Sequence, residues 1–83
     1  MRHWNWETEG LTQCQAEKRD FVQDKLFPLL ADVDKRIESV AYRVNADTGM
    51  EFVIIEWPDD IRETVNVSHD SLSALCKDVF KIF

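Results

Sequence analysis

Ser68-His69-Asp70-Ser71 sets a hydroxyl, an imidazole and a carboxylate side by side. These are the residue types of a nucleophilic triad, in which a base takes the hydroxyl proton and an acid orients the base. A triad is assembled by convergence in space, whereas consecutive residues at a helix start point apart, so the sequence reads here as a capped helix with an exposed histidine. His3, His69, Cys14 and Cys76 could ligate a metal if the fold gathered them, but their spacing matches no zinc signature, and no metal or other cofactor is expected. Both cysteines fall near apolar helix faces, where cysteine behaves as a small hydrophobe. Asp59 and Asp60 lack the alternating oxygen ligands of a calcium loop and suit a turn. A helix start at Ser68 offers N–H groups to phosphate, yet Asp70 already fills that field with negative charge. Catalysis is not expected of this chain.

Charge gives the next signal. Between Asn45 and Asp70 seven carboxylates (Asp47, Glu51, Glu56, Asp59, Asp60, Glu63 and Asp70) face only Arg62, and this stretch carries the whole net charge of −6. An acidic surface disfavours nucleic-acid phosphates and anionic lipid, which attract Lys and Arg clusters, so neither nucleic acid nor membrane is an expected direct partner. The longest apolar run, Leu26 to Ala31, contains Pro28 and is shorter than the roughly 18 residues of a membrane helix. No secretory leader pattern opens the sequence, and reduced thiols in a cytoplasmic setting are the expectation. The 45% hydrophobic content excludes a disordered chain, which needs low hydrophobicity together with high charge.

These residues need elements to position them. Met1 to Leu11 form an N-terminal arm with Trp4 and Trp6. Thr12 followed by Gln15 fits a capping box that starts a helix over 12–35, with Val22, Leu26, Leu29, Leu30 and Val33 at helical spacing. Pro28 lies inside this pattern and is expected to kink or split the helix. Three strands follow within 38–67: Val40, Tyr42 and Val44 alternate in the first, Glu51 to Trp57 form the second, and Ile61 to Val67 the third. Gly49 closes one turn and Pro58-Asp59-Asp60 the next. Ser68 is placed as the cap of a final helix over 69–82, with Leu72, Leu75, Cys76, Val79, Phe80 and Phe83 on one face. The result is a single α+β domain over 1–83: helix, three-stranded antiparallel meander, helix, with both helices on one face of the sheet. This order resembles that of double-stranded RNA-binding domains. That family has a basic cluster at the start of its last helix, where this chain has Ser68-His69-Asp70, and topology alone carries no activity.

Pairing Asn45 with Met50 and Trp57 with Ile61 puts Val40, Tyr42, Val53, Ile55, Trp57, Ile61 and Val65 on one face, with Glu63 at its rim. The opposite face then holds Phe52 and Ile54, whose exposure would forgo roughly 1.5 to 3 kcal/mol of burial each. Something must cover them. Trp4 and Trp6 of the arm are one cover, ahead of a second copy of the chain or another protein. The expected role is a small acidic cytoplasmic protein acting as a non-enzymatic protein-protein interaction module, with a homodimer among its forms. Its contact residues are Phe52, Ile54, Trp4 and Trp6, and separately Glu51, Glu56, Asp59, Asp60 and Glu63. The alternative is a nucleic-acid-mimicking inhibitor, in which sheet carboxylates imitate phosphates and occupy the groove of a basic DNA- or RNA-binding protein.

Overall fold

Thr12 opens the first helix in the way its neighbours dictate. Its hydroxyl accepts from the Gln15 backbone N–H at 3.2 Å, and the Gln15 side chain accepts from the Thr12 N–H at 2.9 Å. The computed structural model describes residues 5–83, so expectations for His3 and Trp4 lie outside the described residues. From this cap, α1 (Gln13–Phe21), a π-helical turn (Val22–Leu26) and α2 (Phe27–Val33) run on as one 21-residue helix. Strands β1 (Ser39–Val44), β2 (Glu51–Glu56) and β3 (Arg62–Asn66) form an antiparallel sheet in the order β1-β2-β3, and α3 (Leu72–Phe80) follows. The expected α-β-β-β-α order is the observed one.

Pro28 neither splits the helix nor ends it. It has no N–H to give and its ring crowds the carbonyl of Asp24, four residues back. The widened turn just before it absorbs that conflict, with the Phe27 N–H reaching back five residues to the Val22 carbonyl. The same turn explains which side chains are buried. Lys18, Val22, Leu26 and Leu30 recur every four residues, a spacing that drifts about 40° per step in a regular helix of 3.6 residues per turn. Under-winding at Val22–Leu26 brings the row back onto the sheet.

Both expected registers hold. Tyr42 lies opposite Val53 and Val40 opposite Ile55, while Val53 faces Val65 on the other side. Val22, Leu26 and Leu30 of the first helix and Leu75 and Val79 of the last close on Val40, Tyr42, Val53, Ile55 and Val67 in one core. Ile61 departs from expectation: it is 57% exposed, because α3 ends at Phe80 and leaves Ile61 in an open cleft that it shares with Ile82 and Phe83.

The start of the last helix also differs. Ser71, not Ser68, is its cap, with its Oγ accepting from the Ala74 N–H at 3.2 Å. Val67 is fully buried and its N–H extends the sheet ladder to the Glu51 carbonyl at 2.9 Å, which holds Ser68 against β2. The chain then turns through His69 in a left-handed conformation, φ 65°, before the helix can begin. Among the described residues, no helix is long and apolar enough to cross a membrane.

Candidate functional site

The arm supplies the first cover. Trp6 forms an antiparallel bridge with Asn45, flanked by hydrogen bonds from the Glu7 N–H to the Val44 carbonyl and from the Ala46 N–H to the Asn5 carbonyl, both 2.7 Å. This lays the Trp6 ring edge-on to Phe52, centroids 6.2 Å apart. Phe52 and Ile54 are half-buried as a result. The chain's own arm thus takes the place that a partner would otherwise hold over Phe52. Beside it a depression of about 270 Å³ remains between Trp6, Ile54, Arg43 and Arg62. Trp6→Ala is expected to remove a ring pair worth about 0.5 to 1.5 kcal/mol in addition to its buried area. Faster amide exchange at Glu7 and Ala46 is the measurement that checks whether this ring holds the arm.

Glu51 is not on the acidic surface where its sequence neighbours place it. It shares the inward side of β2 with Val53 and Ile55 and is only 6% exposed. Its Oε1 accepts from Lys18 Nζ at 2.8 Å and from the Tyr42 hydroxyl, and its Oε2 accepts from the His69 N–H at 3.1 Å. Burial alone would push the carboxyl up, but these three donors together hold it below its usual range. Burial, then the hydrogen bond to Glu51 and the Glu51 charge, push the Tyr42 hydroxyl well up. The group ties the first helix, β1, β2 and the His69 turn to one carboxylate. Two signals in the sequence mark it: Glu51 keeps the parity of Val53 and Ile55, and Lys18 keeps the four-residue rhythm of Val22 and Leu26.

Above this group the starts of α1 and α3 border a cleft of about 510 Å³ that brings Cys14 and His69 together with Asp70 and Ser71. His69 serves the fold through its backbone N–H. Among the described residues its imidazole has no hydrogen bond to Cys14, Ser71 or Asp70, the contact by which a base activates a nucleophile. The neighbouring Asp78 carboxyl, and then burial, hold Asp70 above the usual carboxylate range, while Asp70 and Lys81 lower Asp78. Burial pushes the Cys76 thiol up, as befits a packing residue. Among the described residues, no three of His, Cys, Asp and Glu are grouped to hold a metal ion.

The opposite end of the molecule is built differently. The β2–β3 turn carries Asp59 and Asp60 at φ 65° and 60°, a left-handed backbone that costs an L-residue roughly 1 to 2 kcal/mol and that aspartate tolerates better than most. Both side chains project into solvent. Beneath them lies a cleft of about 350 Å³ between Trp57, Ile61, Ile82 and Phe83, with Asp34, Arg36, Asp59 and Glu63 on its rim. Trp57 is half-buried, fixed by its Nε1 donating to Asp34 Oδ2 at 2.9 Å and by the Phe83 ring at 6.2 Å. The Arg36 side chain, its backbone N–H and then Trp57 hold the Asp34 carboxyl down to about 2. Ile61, Ile82 and Phe83 are 57%, 40% and 44% exposed, an apolar floor open to solvent.

The seven carboxylates of the acidic stretch therefore do not form one surface. Glu51 is inside, Glu56 pairs with Arg62 at 3.4 Å, Asp47 accepts from Asn5 at the far hairpin, and Asp70 adjoins Asp78. Asp59, Asp60 and Glu63 remain exposed, and among the described residues none has a salt bridge. By their spacing in the sequence Trp57 and Ile61 belong to the core and Phe80 and Phe83 to a long buried helix face. Only the early end of α3 reveals that they line a surface. Comparison with protein-family models, with curated proteins and with solved structures gives no match.

Proposed function

We propose that this chain is a non-enzymatic protein-protein interaction module that docks a basic partner at the cleft formed by Trp57, Ile61 and Phe83. The observation that carries this reading is an open apolar floor whose border holds Asp59 and Glu63, with Asp60 beside them on the turn; among the described residues none of the three has a salt bridge, and the one cation at the border, Arg36, is paired with Asp34. Interfaces are built this way, with an apolar and aromatic centre inside a polar rim, and an immobilised tryptophan is a favoured anchor. The acidic rim selects a partner with Lys or Arg beside an apolar side chain and speeds its encounter. A nucleic-acid mimic would need an extended track of carboxylates, and the clustering of three at one end supports a compact protein contact instead.

A ten-residue peptide alternating lysine with valine or phenylalanine is expected to bind saturably, more weakly as salt is raised. Exposed charge pairs contribute about 0.2 to 1 kcal/mol each, so Asp59→Asn, Asp60→Asn and Glu63→Gln together should weaken binding about tenfold. Equal affinity of the triple variant, or of a peptide with glutamate in place of lysine, measured by calorimetry, removes this reading.

A further inference from the structure

The two edges of the sheet are finished differently. Along β1 the outward carbonyl of Val44 accepts from the arm at Glu7, and that of Tyr42 accepts from the Arg43 guanidinium at 3.1 Å. On β3 the Ile61 carbonyl accepts from the Trp57 N–H and the Val67 N–H reaches the Glu51 carbonyl. Antiparallel pairs alternate, so Glu63 and Val65 also turn their backbone groups toward β2, and Arg62, Thr64 and Asn66 turn theirs away from it. Among the described residues, no backbone group bonds these outward N–H and C=O groups. All of β3 is exposed except Val65, which is half-buried. An unpaired edge is a template for another strand, and proteins usually cover it or twist it away. Here the strand runs into the acidic cleft, since Glu63 of β3 and Ile61 just before it both line that cleft.

We propose that β3 accepts an extended, lysine- or arginine-bearing segment of a partner protein as a fourth strand, one apolar side chain entering the cleft at Ile61 and Phe83 and flanking cations meeting Asp59, Asp60 and Glu63. This rests on the docking reading above and adds the manner of binding. Main-chain pairing along Arg62, Thr64 and Asn66 supplies affinity and the alternation of side chains supplies selection. A second copy of the chain is disfavoured as the occupant, because antiparallel pairing of β3 with itself about Thr64 sets Asp59 and Asp60 of each copy against His69 and Ser68 of the other and Glu63 against Val65, which brings no Lys or Arg to these carboxylates.

The test uses the alternating lysine peptide and two variants of it, N-methylated at one or the other alternate set of amides, which keeps the side chains and removes one set of backbone donors. The unmodified peptide is expected to slow amide exchange at Arg62, Thr64 and Asn66, and one of the two methylated variants to lose about tenfold or more in affinity, the equivalent of one or two hydrogen bonds. Equal binding by both methylated variants, without protection of those amides, overturns strand addition and leaves the acidic docking cleft standing. Absence of binding, or binding indifferent to Asp59→Asn, Asp60→Asn and Glu63→Gln, overturns both. Light scattering that shows self-association abolished by Thr64→Pro places a second copy on the edge and overturns the basic partner.

Discussion

Glu51→Ala is expected to lower folding free energy by about 3 to 5 kcal/mol, because it leaves the Lys18 ammonium buried without its counter-charge. A chain of this size has a net stability on the order of 4 to 12 kcal/mol, so the variant should be largely unfolded at moderate denaturant. Lys18 and Glu51 side chains are 11% and 8% exposed, which removes the solvent screening that makes surface pairs weak. The loss extends beyond the ion pair, since the Tyr42 hydroxyl and the His69 N–H lose their acceptor as well. Exchanging Lys18→Met and Glu51→Leu together removes both charges, and should recover much of what either single change loses. Urea denaturation of the four proteins in the cycle measures this coupling. Additive losses would show that the pair contributes nothing as a pair.

The same carboxylate sets a pH dependence. Its folded value is depressed below the ordinary 4.5, so the stabilisation is fully present above that value and is lost as pH falls through the folded one. The wild type should lose stability progressively below about pH 4.5 through this group, and the Lys18→Met, Glu51→Leu protein should lack that component. Parallel stability curves for the two proteins down to acid pH would show that Glu51 has no such role.

Ile55→Ala is the second large effect, about 2 to 5 kcal/mol, for lost transfer energy and the cavity left behind. Ile55 is completely buried at the centre of the sheet, between Val40 on β1 and Glu63 on β3, under both helices. Ile54→Ala, one residue earlier and chemically identical, removes a half-buried side chain at the open depression beside Trp6 and should lose less than half as much. Chemical denaturation of the two variants compares the faces of β2 directly. Equal losses would mean that the face under the arm is packed as tightly as the core.

This pair of isoleucines shows how far local pattern reaches. Alternation in β1 and β2, a capping box at Thr12 and turn residues at Gly49 and Pro58 are local signals, and each is satisfied by bonds between residues close in sequence. They determined the order of elements, both strand registers and the need for a cover over Phe52. Ser68 is a good cap by type, but the pull of buried Val67 toward β2 keeps it in the ladder while Ser71 caps α3.

What the chain alone does not carry is how charge and apolar surface meet at long range. Glu51 and Asp59 look alike in sequence, yet one is enclosed by Lys18, thirty-three positions away, and the other stands on an open rim. Ile61 and Phe83 belong by pattern to buried faces and become surface because α3 stops short of the hairpin. Burial is decided by which elements lie over a residue, and that depends on the lengths and ends of helices far along the chain. The sequence therefore determined the sheet and its two oily faces. The tertiary structure decided that the arm closes one, the helices close most of the other, and the uncovered remainder lies beside three carboxylates and a free strand edge.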